Sequence, residues 1–356
     1  MIQNSAISKL SGYLDFQFGF YDKKWLISRT LNNKLLKGTE ITHINDMSIN
    51  DFYEQNKKYI NVSSEYERKS KFGANSNFHV IVQKEFALTS DKGEDFKVKK
   101  VSNDLFNNYD QMEANGQWIS RGKIGYIKIP SFIRQKFETK ALDYVQEFFE
   151  AKVIIIDLRD NRGGSTPIKL LELIMNVPYR WWSESTAMSF GLFNFYASEN
   201  RLKKKRSSKP LDTSEDTMEE IFEMLDNGSF FTISPFELPK DNCYKGEVIV
   251  LVNRNTMSAA EDFCMPLKVF RNATIIGERT MGSTGQPYYI KFPMNIDLDV
   301  STKRTYFPNG SLFEGQGIEP TIQINLTQKY FQIDNDIVLD KAILVANKKC
   351  IFNDEI

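Results

Sequence analysis

Three observations predict an α/β fold built on a substantially parallel sheet. Two wholly apolar runs, Val153 to Ile156 and Val248 to Val252, each break into a polar or Gly-rich loop. Each loop leads into a segment of helical periodicity, Pro167 to Met175 and Ser258 to Phe270. A third apolar strand, Thr274 to Ile276, then runs into the loop Gly277 to Gln286. Strands apolar on both faces belong to a sheet covered by helices on both sides. Sites in such sheets gather at the carboxyl ends of the strands, where all three loops fall.

The elements ahead of this core read differently. Trp25 to Arg29 is a candidate strand, and Leu35-Leu36-Lys37-Gly38-Thr39-Glu40 turns into a second, Ile41 to Ile44. Asn45-Asp46 supplies turn chemistry, and Asn50 is a candidate N-cap for a short helix through Phe52 and Tyr53. A Gly-containing turn, strand, Asn-Asp turn and helix in this order resembles a PDZ-like module, assigned here to residues 13–75. Such modules take an extended peptide as an added strand. His79 to Gln83 reads as a strand and Ser90 to Lys100 as a charged hairpin. Lys123 to Ile129 alternates as a strand, and Phe137 to Phe149 presents Ala141, Leu142, Val145, Phe148 and Phe149 on one helical face. The second domain is assigned to residues 76–350, with an insert at 176–246 too long for an ordinary connection. The insert carries aromatic residues from Tyr179 to Tyr196, a basic run from Lys203 to Lys209 and an acidic amphipathic stretch from Met218 to Leu225. It reads either as a lid over the site or as a decorated surface subdomain.

Composition narrows the chemistry. Lys and Arg number 46 against 46 Asp and Glu, so no net field concentrates a polyanion and nucleic acid is not expected as the main partner. Only two histidines (His43, His79) and three cysteines (Cys243, Cys264, Cys350) occur, and none has the short spacing of a zinc site. No metal or organic cofactor is expected. Cys264 is expected in a helix of the core. No window is apolar for the roughly 18 residues of a membrane span, and the first residues, MIQNSAISKLSGYL, lack the features of a secretory signal. The compartment is left open.

Ser258 follows a buried strand and the sharp turn Asn255-Thr256-Met257, and opens a helix. Unpaired amides and the positive end of the helix dipole favour developing negative charge there. The same position suits a serine that only caps its helix. Four ordered motifs decide between the two: VIIIDLRDNRGG, VIVLVNRNTMSAAEDF, IIGERTMGSTGQ and FPNGSLFEGQGIEPTIQI. They resemble, in order, the Asp-Leu-Arg-x-Asn-x-Gly-Gly loop, the nucleophile elbow, the Gly-Glu-x-Thr-x-Gly loop and the acidic-Gly-x-Gly-Ile-x-Pro segment of the tail-specific (C-terminal processing) serine proteases.

The resemblance spans about Lys123 to Leu344 and implies a ClpP/crotonase-like catalytic domain preceded by the PDZ-like module. It implies that Ser258 is the nucleophile of an endopeptidase acting on unfolded or C-terminal polypeptide segments. Ala259 with Gly163 or Gly164 would supply the oxyanion hole, and Asp157, Arg159 and Asn161 would brace the glycine loop. Family members are usually found in the cell envelope. The commoner branch carries a lysine base where this chain has Ser283, which excludes a Ser-Lys dyad at that slot. The tricorn-like branch uses a histidine relayed through a late glutamate, and Glu314 matches that glutamate. Its histidine lies ahead of the PDZ-like module, so the base is expected upstream of Met1. His43 and His79 match no catalytic motif, and Lys128 and Lys291 stay open as amine bases. The rivals are a peptide-binding pseudoprotease and an acyl-thioester enzyme of the crotonase type.

Overall fold

A computed structural model describes residues 2–4, 13–60, 62, 64–73, 78, 81–101, 112–187, 229–285, 287–292, 296–333 and 335–352. After the short strand β1 (Ile2–Asn4), an N-terminal unit holds β2 (Phe16–Tyr21), β3 (Lys24–Thr30), β4 (Ile41–Ile44) and β5 (Met47–Ser48). It continues through α1 (Ile49–Asn56), a 3-10 turn (Lys57–Tyr59), α2 (Glu65–Phe72), β6 (Glu85–Ser90) and β7 (Asp95–Lys99). β2 and β3 pair antiparallel, and a four-stranded sheet has the order β5-β4-β6-β7. Phe16, Phe18, Trp25, Tyr53, Phe72, Phe78 and Phe86 fill its core, with Phe18 set edge-on to Trp25, Phe72 and Phe78.

The structure corrects or refines four expectations here. The boundary at 75/76 cuts this unit, because β6 pairs with β4 and Tyr13 bridges Val101. The charged hairpin is half-buried: Phe86, Leu88 and Val98 alternate inward into the same core. Of the strand expected at His79 to Gln83, Ile81 is helical and Val82 and Gln83 are not extended strand; His79 and Val80 lie outside the described residues. Finally, Ser48 rather than Asn50 caps α1, its Oγ accepting from the Asp51 amide at 3.2 Å. Asn50 is instead committed to the core, accepting from Trp25 Nε1 at 2.9 Å.

The second domain holds β8 (Asn115–Ser120), β9 (Ile124–Lys128), α3 (Gln135–Glu147), β10 (Val153–Asp157), α4 (Ile168–Ile174), β11 (Ser183–Ala187) and β12 (Ser229–Ile233). There follow β13 (Glu247–Val252), α5 (Ala259–Val269), β14 (Thr274–Gly277), β15 (Pro287–Phe292), β16 (Ile296–Ser301), β17 (Arg304–Tyr306), β18 (Ile322–Gln323), α6 (Gln328–Gln332) and α7 (Ile337–Phe352). The central sheet has the order β18-β14-β13-β10-β9-β8 and is parallel except for β8. Ile155 of β10 is registered with Tyr126 of β9 on one side and Ile249 of β13 on the other. Its Val-Ile-Ile-Ile sequence follows from that central place, because helices cover both faces. α3, α4 and α5 pack on one face, and α7 lays Val338, Ala342 and Ala346 on the other. Cys264 is in the first of these cores, and all three cysteines are buried free thiols.

The base of the insert is built into this domain. β11 pairs with β12 and β17, and the buried Trp182 meets Phe307 edge-on and Phe313 at a tilt. The basic run and the acidic stretch of the insert lie outside the described residues. Arg254 joins the two units: its Nη1 donates to the Phe20 carbonyl at 2.6 Å and its guanidinium lies 3.9 Å from the Tyr21 ring centroid. Among the described residues, no helix is long and apolar enough to cross a membrane.

Candidate active site

Three loops converge at the carboxyl ends of β10, β13 and β14. The β13–α5 loop carries Ser258, whose backbone stands at φ 56° and ψ −129°. A side-chain-bearing residue there costs about 1–3 kcal/mol, and such strain persists only where the surroundings impose it. Two acceptors impose it: the Ser258 amide donates to the Ser283 carbonyl at 3.0 Å and to Glu261 Oε2 at 3.1 Å. Thr256, fully buried, ties the start of the turn by donating from Oγ1 to the Leu158 carbonyl at 2.9 Å and accepting from the Asn253 amide at 3.0 Å.

The β10 loop brings up the two glycines. Gly163 has φ +84°, and a Cβ there would stand 2.6 Å from the Ser258 Cβ and 2.9 Å from the Ala259 nitrogen. Only glycine permits that approach. Its amide is already engaged, donating to Asn161 Oδ1 at 2.9 Å. Asn161 is fully buried; its Nδ2 donates to the Ile129 carbonyl and its own carbonyl accepts from the Met257 amide. By contrast, the amides of Gly164 and Ala259 donate no hydrogen bond among the described residues. The loop is braced from below by Asp157, which is fully buried. Asp157 accepts from Tyr126 Oη at 2.8 Å and from Arg159 Nε and Nη2 at 2.9 and 2.6 Å, while Arg159 also grips Asp336.

The β14 loop supplies the third side. Thr280, Met281 and Gly282 lead to Ser283, which occupies the lysine slot and meets Ser258 through its backbone. Glu314 connects to the β14 loop through Thr305, and no hydrogen bond joins it to Ser258 among the described residues. Both its oxygens accept from the Thr305 amide at 2.8 Å, and Thr305 Oγ1 donates to the Thr284 carbonyl at 3.1 Å. Burial raises the Glu314 carboxyl above its ordinary range.

No histidine or lysine hydrogen-bonds Ser258 Oγ among the described residues. His43 lies in the sheet of the N-terminal unit against Thr42 Oγ1, and Lys128 is exposed at the end of β9. The side chain of Lys291 lies outside the described residues. Lys303 pairs with Glu184. No cluster of His, Cys, Asp and Glu suited to a metal occurs among the described residues.

Two carboxylates that follow the nucleophile, Glu261 and Asp262, lie within its motif, and local sequence alone assigns them no role. Asp262 accepts from Trp182 Nε1 and Thr166 Oγ1, each at 2.8 Å, and from Thr284 Oγ1 at 3.0 Å. It thereby joins the base of the insert to the glycine loop and the β14 loop. Glu261 is fully buried among four donors. Its place three residues after a helix-capping serine is the spacing of a capping box, the one local signal that marks it.

Comparison with known proteins places this chain in a peptidase family. The model described as "Peptidase family S41" matches residues 123–324, more than half of the chain, and the chain belongs to that family. A "Probable CtpA-like serine protease" of Staphylococcus aureus (strain COL) is 23% identical over 248 residues, covering 69% of this chain and 41% of that protein. A "Carboxy-terminal-processing protease" of Bartonella bacilliformis is 35% identical over 85 residues, 23% of this chain and 20% of that one. The chain thus spans well under half the length of these curated relatives. Among solved structures, mature CPAF complexed with lactacystin aligns over 97% of this chain and 87% of its own, with TM-score 0.69 and 14% identity, a likeness of fold.

Proposed function

We propose that this chain is a serine peptidase that cleaves polypeptides through an acyl-enzyme on Ser258. The observation that carries the reading is the strained serine packed against Gly163 of the glycine loop, with the amides of Ala259 and Gly164 uncommitted among the described residues. Ser258 Oγ attacks the scissile carbonyl carbon while its proton passes to a base, and the carbonyl π electrons move onto oxygen. The Ala259 and Gly164 amides receive that oxyanion; Gly163 contributes its missing side chain, which lets the loop close on the serine. Collapse expels the amine with the proton, and water hydrolyses the ester. Glu314 serves as the fixed acidic member of the relay that orients the base, consistent with its raised affinity for a proton and its two bonds from the Thr305 amide. The name of one relative, a carboxy-terminal-processing protease, agrees with C-terminal segments as substrates; unfolded segments are the alternative class.

The N-terminal unit, with two helices on antiparallel sheet, is taken as the PDZ-like peptide-gathering element. β4 is flanked by β5 and β6, so a peptide would have to add at another edge. A second reading, a peptide-binding pseudoprotease, is favoured by one observation: among the described residues no imidazole or amine bonds to Ser258 Oγ. Labelling with a serine-directed fluorophosphonate decides between them. The peptidase reading expects an adduct on the wild type and none on Ser258→Ala; an unlabelled wild type overturns it in favour of the pseudoprotease.

A further inference from the structure

The elbow is held by a carboxylate that the proposed chemistry does not use. Glu261 is completely buried, and its two oxygens take four donors from two separate segments. Oε2 accepts from the amides of Ser258 at 3.1 Å and Ser283 at 3.0 Å. Oε1 accepts from the Gly282 amide at 2.7 Å and from the Thr280 hydroxyl. Thr280 Oγ1 in turn accepts from the Ile318 amide at 2.7 Å. One side chain therefore fixes the positive φ of the nucleophile and docks the β14 loop against it. This extends the reading of Ser258 as nucleophile and rests on it.

We propose that Glu261 is a positioning residue whose ionised carboxylate holds the elbow and the β14 loop in register, and that protonating it releases the loop and switches Ser258 off. An ionised carboxylate offers lone pairs to all four donors, whereas a protonated one turns an O–H toward at least one of them. Three of the four donors are backbone amides, that of Gly282 buried and those of Ser258 and Ser283 half-buried, and an amide left without its acceptor is costly. The group is set to change state in the neutral range: burial pushes its carboxyl up to about 7, against the pull of the Thr280, Gly282, Ser283 and Ser258 donors. The titratable groups that face it do not compete. On its own helix, Asp262 is turned to Trp182, Thr166 and Thr284, and the Cys264 thiol is pushed well up by burial and stays neutral. The β14 loop and the Ile318 segment present only neutral donors to this cluster. The sign follows: clamping is complete above the Glu261 pKa and is lost as pH falls through it.

Two measurements test this. In an amide NMR titration of the wild-type chain, the resonances of Ser258, Gly282 and Ser283 should shift together with one midpoint near 7. Separate midpoints, or no titration, overturn the proposal, and this readout needs neither a substrate nor the catalytic base. In the second, fluorophosphonate labelling is followed against pH for wild type and Glu261→Gln, whose amide group cannot accept on both sides. Wild type should label about tenfold more slowly one unit below the midpoint, as the ionised fraction requires, while Glu261→Gln should label slowly at every pH without that limb. The same limb in both proteins overturns the proposal. If the wild type never labels, the peptidase reading fails, and the NMR titration still decides the clamp.

Discussion

The N-terminal core and the elbow region solve opposite problems. In the first, rings of Phe16, Phe18, Trp25, Phe72 and Phe78 pack with no demand on direction beyond edge-to-face preference. In the second, fully buried polar side chains, Asp157, Asn161, Thr256, Glu261 and Thr280, each make directed hydrogen bonds to loop backbone or to one another. Apolar packing supplies stability but tolerates small shifts; a directed network fixes a backbone to fractions of an ångström and makes each loss costly. Strain at Ser258 can therefore be held by the second arrangement and not by the first.

The largest separation of the two should come from Gly163→Ala. The added Cβ meets the Ser258 Cβ at 2.6 Å in a backbone of φ +84°. We expect at least about a hundredfold loss of labelling rate or kcat/KM, the scale of a lost oxyanion donor. Urea unfolding should show the N-terminal core unaffected; retention of rate would break the close-approach account. Phe72→Ala is the converse case. Phe72 is completely buried and touches the rings of Phe18, Trp25, Phe52, Tyr53 and Phe78, so about 3–5 kcal/mol should be lost in urea unfolding. The labelling rate of the folded fraction should stay within about twofold, because nothing directed at Ser258 is removed.

Arg254 tests the join. Its guanidinium pairs with Glu278 at 2.5 Å, and both side chains are nearly enclosed. Arg254→Ala strands the Glu278 carboxylate and should cost about 3 kcal/mol, with Arg254→Met plus Glu278→Gln recovering most of it. Equal losses in the single and double variants would show that the bond to Phe20 and the contact with Tyr21 dominate instead. The smallest effect should be Ser48→Ala at the head of α1, about 1 kcal/mol by thermal unfolding, since one cap bond is lost.

The same contrast explains what was legible in the sequence. Strands such as Val153 to Ile156 and Val248 to Val252 announced themselves because two-sided burial leaves an uninterrupted apolar run. Local spacing, a strand followed by a turn and a helix, marks Ser258 only as nucleophile or cap; the motif resemblance decides between them and singles out the two glycines. Glu261 and Asp262 were visible as letters but not as parts, because their partners Thr280, Gly282, Thr166 and Trp182 are brought near only by the sheet order. Local pattern points to Asn50 as the cap of α1, where Ser48 serves, because both residue types accept a cap hydrogen bond equally well. Only the position of Trp25 decides which is spoken for. Local pattern puts the boundary ahead of β6 for a related reason: alternation in the hairpin from Glu85 to Lys99 hides three inward residues among charges.

The central claim is that Ser258 is held where the Ala259 and Gly164 amides meet the charge it creates. It is tested most directly by a crystal structure of the fluorophosphonate adduct. The account predicts phosphorus bonded to Ser258 Oγ, with the phosphoryl oxygen about 3 Å from the nitrogens of both Ala259 and Gly164. The Gly163 amide should remain on Asn161 Oδ1. A phosphoryl oxygen turned to solvent, or one received by Gly163 in place of Gly164, would contradict it.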